Sequence, residues 1–373
     1  MNDLLVLCKS VTSSVGKKWL SYNYALQCTL VFLLLLLKSP LGAEIVNIRD
    51  AYLPASIALP QPVGYFSASL GNLIIGKLLG VNSVSSWVVL HILLLLTCLA
   101  MVVILIHKSD LAPRATMIVI VAAVPVTATL FSSIGKYDVV TFLGAIIVGL
   151  ARHKVGVLAG ALIMSLGNPE QAILALICLL FLSNLTEFQV SKKYLQMGLA
   201  LSIVLYLGIQ VWMITGGIVS NRISLLPYWL GLSLSNFLNA PFNNLWSWYG
   251  FFWLFIIIAF LSMKGSNRKR LFVCFLVIPG MTTIITADGV RVFSMIVLPS
   301  LLVCCVWIIR SFVKTQNDLE LFVGLIIILW VIIPTGGGGG YLWGNLAIFT
   351  SSTLDQLSVF IFDFGKRVSD FVN

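Results

Sequence analysis

The sequence predicts an all-α, polytopic membrane protein with about eleven transmembrane helices, within a range of about ten to twelve. Three observations lead there. Of 373 residues, 59% are hydrophobic and 10% charged, more apolar surface than one water-soluble core can hide. Apolar runs close to the length a bilayer demands recur along the chain. The bases between those runs fall on alternate loops, as they do when Lys and Arg hold loops on the cytoplasmic side.

The runs follow in order. The first is roughly Tyr22 to Lys38; it comes after Lys17 and Lys18 and has no small-residue cleavage site, so it reads as a span and not a signal peptide. Next come Trp87 to Ile106, Ala115 to Ser132, Val139 to Leu150, Val155 to Leu166 and Gln171 to Leu182. The later runs are Met197 to Ile214, Trp246 to Met263, Leu271 to Ile285, Val292 to Ile309 and Leu321 to Ile333. The short runs, Val139 to Leu150 and Val155 to Leu166, must tilt little, break, or sit inside the bundle. The whole chain, 1–373, reads as a single membrane domain.

With the N-terminus cytoplasmic, the inside loops read KSDLAPR, ARHK, SKK, KGSNRKR and RSFVK. About fifteen Lys and Arg then lie inside and about five outside: Arg49, Lys77, Lys136, Arg222 and Arg291. That bias accounts for the net charge of +10. No basic face with interleaved aromatics is left over, which excludes nucleic acid as a partner. An odd span count puts the tail, about 334–373, outside, although the apolar stretch Leu346 to Phe362 offers one more span.

The first external loop, about 39–86, is the longest. It begins PLGAEIVNIRDAYLP, and its Phe66, Leu70, Leu73, Ile74 and Leu78 recur at helical spacing, with Ser67, Asn72 and Lys77 elsewhere around the same helix. That pattern fits an amphipathic helix lying in the membrane interface, or equally a packed loop helix. A second external loop, about 215–245, and the region just after it carry Trp229, Trp246 and Trp248, suited to an interfacial belt. The run Gly336 to Gly340 has no phosphate-loop pattern and reads as a hinge. Asn184-Leu185-Thr186 matches a glycosylation sequon but falls on an inside loop.

Seven cysteines without a CxxC and three scattered histidines argue against a disulfide framework or a His-based metal site. No cofactor is called for, though carboxylates leave room for a magnesium or manganese ion. Ionisable residues gather instead at the outer ends of the spans: Glu44, Arg49, Asp50, Lys136, Asp138, Glu170, Arg222, Asp288 and Arg291. Charge at the edge of a bilayer is a functional candidate by default. Several of these loops carry both a carboxylate and a base. A carboxylate can deprotonate a hydroxyl within hydrogen-bond reach, and Arg or Lys can bind a phosphate and neutralise charge growing on it. One carboxylate base, a few cations and a groove for a lipid tail would serve transfer of a sugar from a polyprenyl phosphate.

The layout resembles the GT-C superfamily of integral-membrane glycosyltransferases, with a cytoplasmic N-terminus and a long first external loop. EIVNIRDAYLP, Glu44 to Pro54, matches the segment in which that fold carries its catalytic acid. GKYD at Gly135 to Asp138, GNPEQ at Gly167 to Gln171, and ADGVRVF at Ala287 to Phe293 are similar to small bacterial members that decorate surface polysaccharide. The paired DxD or ExD of the family is not matched, because Glu44 and Asp50 stand too far apart. The resemblance implies an inverting transferase that uses a polyprenyl-phosphate-linked sugar and a glycan or lipid-linked acceptor. The site would face the periplasm or exterior of a bacterial cytoplasmic membrane. Asp50, in a segment with Arg49 and Tyr52, is the first candidate for general base, and Glu44 the second. Lys136, Arg222 and Arg291 are candidates for the phosphate. Asp138 and Glu170 would position the acceptor or hold a cation, and Asp288 would orient Arg291.

Two other readings share parts of the pattern. A polysaccharide polymerase or ligase would use the same face and lipid-linked substrates, but its late external loop would be rich in Arg, and the loop at 215–245 holds only Arg222. A lipid or solute transporter would want polar groups at mid-bilayer and broken helices; Asn23 and Gln210 are slight exceptions in spans otherwise nearly free of them.

Overall fold

The computed structural model describes residues 2–39, 42–183, 191–218, 248–284 and 289–332, together with 230, 231, 235, 245 and 246. The sequon at Asn184, the residues Arg222, Trp229 and Asp288, the glycine run and the tail from 334 lie outside the described residues.

The protein is all helical. An N-terminal helix α1 (Asn2–Ser21) precedes α2 (Tyr24–Lys38). The first loop is itself built of helix: α3 (Ile45–Asn47), a π turn (Ile48–Tyr52), α4 (Leu53–Ala58), a 3-10 turn (Tyr65–Ala68) and α5 (Leu70–Leu78). Then come α6 (Val84–Lys108), α7 (Arg114–Ala123), α8 (Pro125–Ser132), α9 (Asp138–Leu150), α10 (Lys154–Gly167), α11 (Pro169–Leu182) and α12 (Lys192–Thr215). After a 3-10 turn (Gly250–Phe252) the chain continues through α13 (Trp253–Ser262), α14 (Gly265–Phe272), a π turn (Val273–Val277) and α15 (Ile278–Ile284). It ends, as described, with α16 (Gly289–Phe312) and α17 (Gln316–Ile332).

Every apolar run read from the sequence lies largely in helix, but the expected count of about eleven spans is corrected. Among the described residues three helices are long and apolar enough to cross a membrane: Val84–Lys108, Lys192–Thr215 and the Arg291–Phe312 part of α16. A fourth qualifies if α7 and α8 count as one span, bent by 57°. The reason is geometric. An apolar run measures hydrophobic length, not straight helix. At about 1.5 Å per residue, α9, with 13 residues, reaches only about 20 Å, against about 30 Å of hydrocarbon. Pro125 breaks one run, since it lacks the N–H that would continue the ladder, and Asn168 and Pro169 divide another pair of helices.

Short helices are tolerated here because they lie against protein. α9 and α10 cross closely through glycine. A Cβ on Gly144 would collide with the Met164 backbone, and one on Gly160 would stand 2.8 Å from the Val148 amide. The bent pair α7–α8 is buried without interruption from Thr116 to Phe131. Its break is satisfied from within: the Thr127 hydroxyl donates to the Val121 carbonyl at 2.5 Å, and the Val124 amide to Ile120 at 3.1 Å.

The N-terminal helix α1 was not among the expected elements. It packs against α17 through Gly16 and Gly324, where a Cβ would strike the Glu320 and Thr12 carbonyls. The first-loop helix packs against the protein, one of the two forms expected of it. α5 buries Gly71, Asn72, Leu73 and Gly76 and leaves Ile74 and Leu78 exposed. Leu73, expected on one apolar face with Ile74 and Leu78, packs into the protein beside Ile48, Tyr52 and Trp87, and Asn72 turns inward with it.

Candidate functional site

The bundle has two chemically distinct ends. At one end the basic loops are stitched together. Arg310 Nε donates to the Leu111 carbonyl at 3.0 Å, Trp19 Nε1 to Ala115 at 2.9 Å, and Arg114 lies 3.3 Å from His107. Arg152 sits at the same end, where burial first and then the nearby Arg310 lower its pKa to about 10.

At the other end the first loop docks onto the turn between α8 and α9. Gly42 N donates to the Phe131 carbonyl at 2.9 Å, Ile134 N to Gly42 at 3.0 Å, and Glu44 N to Ile134 at 3.1 Å. This short parallel pairing, with Ala43 opposite Ile134, fixes Glu44 beside the GKYD turn. Gly135 adopts a φ of +101°, a left-handed conformation that glycine reaches without a Cβ penalty. Even so, a Cβ there would meet Ile48.

Two buried side chains then clamp the turn. Trp87 Nε1 donates to the Gly135 carbonyl at 3.0 Å, and Asn72 Nδ2 to the Lys136 carbonyl at 2.8 Å. Asn72 Nδ2 also lies 2.9 Å from His91 Nε2, and His91 Nδ1 lies 2.9 Å from the Trp87 carbonyl. A carbonyl can only accept, so Nδ1 carries the proton and Nε2 receives the Asn72 hydrogen. The imidazole is fully buried in α6, and these bonds let a polar ring sit there.

The clamped turn aims three side chains in sequence. Lys136 Nζ reaches Glu44 Oε1 at 2.8 Å. Glu44 Oε2 accepts from Asn47 Nδ2 at 3.0 Å. Asp138, opening α9, accepts from Arg291 Nη1 at 2.6 Å on Oδ1 and 2.5 Å on Oδ2. The Arg291 guanidinium stands 5.4 Å from the centre of the Tyr137 ring, and the Tyr137 and Tyr52 rings meet edge to face at 6.5 Å. Segments from the first loop, the α8–α9 turn and the start of α16 thus form one connected group: Glu44, Lys136, Tyr137, Asp138, Arg291 and Tyr52.

Arg222 and Asp288 lie outside the described residues, and Arg49 and Asp50 stand apart from this group. Arg49 and Asp50 pair with each other at 2.6 and 2.9 Å, with side chains 63% and 54% exposed. Hydrogen bonding from Arg49 holds the Asp50 carboxyl below its ordinary value. Glu170 is on the first turn of α11, at the same end. The α10–α11 hairpin it belongs to abuts α5, where a Cβ on Gly71 would lie 3.2 Å from the Leu166 carbonyl. Among the described residues, no group of three or more His, Cys, Asp or Glu side chains could hold a metal ion.

Tyr137, Asn47, Asn72, Trp87 and His91 were not singled out as site residues from the sequence. His91 carried a usable signal, since an imidazole inside an apolar helix needs partners. Tyr137 lies between two residues that were chosen.

No family model matches the chain, and no curated protein or solved structure shows significant similarity to it.

Proposed function

We propose that the protein is a membrane glycosyltransferase of the GT-C type. In this reading it moves a sugar from a polyprenyl-phosphate donor to a glycan or lipid-linked acceptor, at the outer face of a bacterial cytoplasmic membrane. The observation that carries the reading is the connected group Glu44–Lys136–Tyr137–Arg291–Asp138, gathered from three distant segments at the end opposite the basic loops.

The chemistry runs as a single displacement. The acceptor hydroxyl attacks the anomeric carbon of the donor, and its proton passes to a carboxylate. The bond from that carbon to the phosphate oxygen breaks, its electron pair leaves with the polyprenyl phosphate, and configuration inverts. Lys136 neutralises the charge that grows on the departing phosphate, and Arg291, held to Asp138, stands beside it. Arg222 is assigned the same task from its place in the sequence.

Of the two acids in the first loop, the geometry favours Glu44 as base. It abuts a phosphate-binding candidate, whereas Asp50 faces solvent beside its own Arg49. Transfer of labelled sugar from a panel of polyprenyl-phosphate sugars, measured in membranes, tests the assignment. Glu44→Gln is expected to lower transfer by about 10²–10⁴-fold, and Asp50→Asn to retain it. The reverse result restores Asp50 as the base. Full transfer by both variants sinks the carboxylate mechanism.

Among the described residues, the bend at Val124–Pro125 is a feature that favours a transporter, because broken helices build substrate sites in that class. Its polar groups are already bonded internally and its surface is covered by protein. Solute flux in proteoliposomes separates the two readings.

A further inference from the structure

We propose that Lys136 is an exchange site: its ammonium leaves Glu44 for a phosphate headgroup, so binding of the anion is what uncovers the Glu44 carboxylate. The proposal rests on the phosphate reading above and adds an order of events to it.

Charge arithmetic starts the argument. Glu44 and Asp138 are acids, Lys136 and Arg291 are bases, and each base already touches an acid. An anion approaching these four groups meets no net positive charge among them. It gains a strong partner only if a pair opens.

The two pairs differ in how readily they open. Asp138 is held through both oxygens, and the side chains of Asp138 and Arg291 are 2% and 9% exposed. Opening that pair would strand a buried carboxylate. Lys136 and Glu44 share one contact, and their side chains are 11% and 35% exposed. Glu44 also keeps the Asn47 amide on its other oxygen when the lysine departs. A carboxylate at the surface regains water, so little is lost.

The frame also suits a swinging side chain. The carbonyls of Gly135 and Lys136 are bonded by Trp87 and Asn72, and the Glu44 amide is bonded to Ile134. Movement is therefore confined to the four-carbon stem of the lysine, a flexible carrier of a point charge. Arg291 stays with Asp138 and presents its guanidinium against Tyr137. The exchange leaves an oriented, unshielded carboxylate beside the newly bound phosphate, where an acceptor hydroxyl would be activated.

The test is titration of the full-length protein in detergent with farnesyl phosphate, with inorganic phosphate and farnesol as comparison probes. Tryptophan fluorescence or thermophoresis gives the Kd. Removing the competing carboxylate in Glu44→Gln is expected to tighten farnesyl phosphate binding by about threefold to tenfold, while Lys136→Gln weakens it by about tenfold or more. The double variant should match Lys136→Gln, because without the ammonium there is nothing to exchange. Inorganic phosphate should give the same order at weaker affinity, and farnesol should not. If the pair were only structural, both single variants would weaken binding alike, and that result overturns the exchange. Unchanged binding in Glu44→Gln, with its unfolding transition intact, overturns it too. Wild-type binding untouched by either substitution puts the phosphate elsewhere and overturns the exchange alone. Failure of every variant to bind any phosphate overturns the phosphate reading as well.

Discussion

Asp138 and Arg291 meet across 153 residues of sequence, whereas Arg49 and Asp50 are immediate neighbours. Both are Asp–Arg pairs at the same end of the protein, with near-equal contact distances. Distance therefore does not distinguish them; surroundings do. The first pair sits beside a tyrosine ring and among packed helices, so the Asp138 carboxylate depends on Arg291 for solvation. The second stands in water that would solvate either charge alone. The lesson is that an ion pair reports on folding and site geometry only where water has been removed.

The sharpest way to break the comparison is to cut the buried pair. Arg291→Ala leaves the Asp138 carboxylate uncompensated in a nearly dry place, an expected loss of about 3–5 kcal/mol. Replacing both at once with apolar residues of similar bulk, Asp138→Leu with Arg291→Met, should recover most of that stability while abolishing transfer. Thermal unfolding in detergent reads both effects. A double replacement that costs the sum of Arg291→Ala and Asp138→Ala would mean that the two charges do not act as a pair.

The middle case tests whether the turn between the pairs is held by its clamp. Asn72→Ala removes the donor to the Lys136 carbonyl and to His91 Nε2, leaving one partly buried and one buried acceptor unmet. The expected cost is about 1–3 kcal/mol, with weaker coupling between Glu44 and Lys136 in a double-mutant cycle. A loss of stability without a change in that coupling would make Asn72 a packing residue and not a positioning one.

These contrasts mark what the sequence could and could not tell. Helices were legible because apolar runs are local, and the turn GKYD was legible because charge stands out against such runs. Span number was not legible, since a break at Pro125 or a short helix such as α9 depends on what packs around it. Nor were partners. Sequence spacing offered Arg291 the nearby Asp288, which lies outside the described residues, and gave no sign that the folded chain also brings Arg291 to Asp138 from another helix. Burial was not legible either: Arg49 and Tyr52 beside Asp50 suggested an ordered segment, but Tyr52 turns inward and Asp50 outward. Adjacent residues on a helical turn point in different directions, so company in sequence is a poor guide to company in space.

The smallest expected effect belongs to the exposed pair, and it sharpens the comparison by its absence. Asp50→Asn should leave the unfolding transition where it is at neutral pH, because both charged partners are already solvated. Its sign with pH is still defined. The bond from Arg49 depresses the Asp50 pKa in the folded protein, so whatever the pair contributes is present above the ordinary carboxylate value and fades as pH falls below it. Wild type and variant should therefore converge in acid. They should converge in high salt as well, since screening acts over about 10 Å at 0.1 M. The buried Asp138–Arg291 pair should show no such sensitivity to salt. A salt-resistant loss of stability on replacing Asp50 would mean that Asp50 lies in a drier setting than its exposure implies, and would return it to the site beside Glu44.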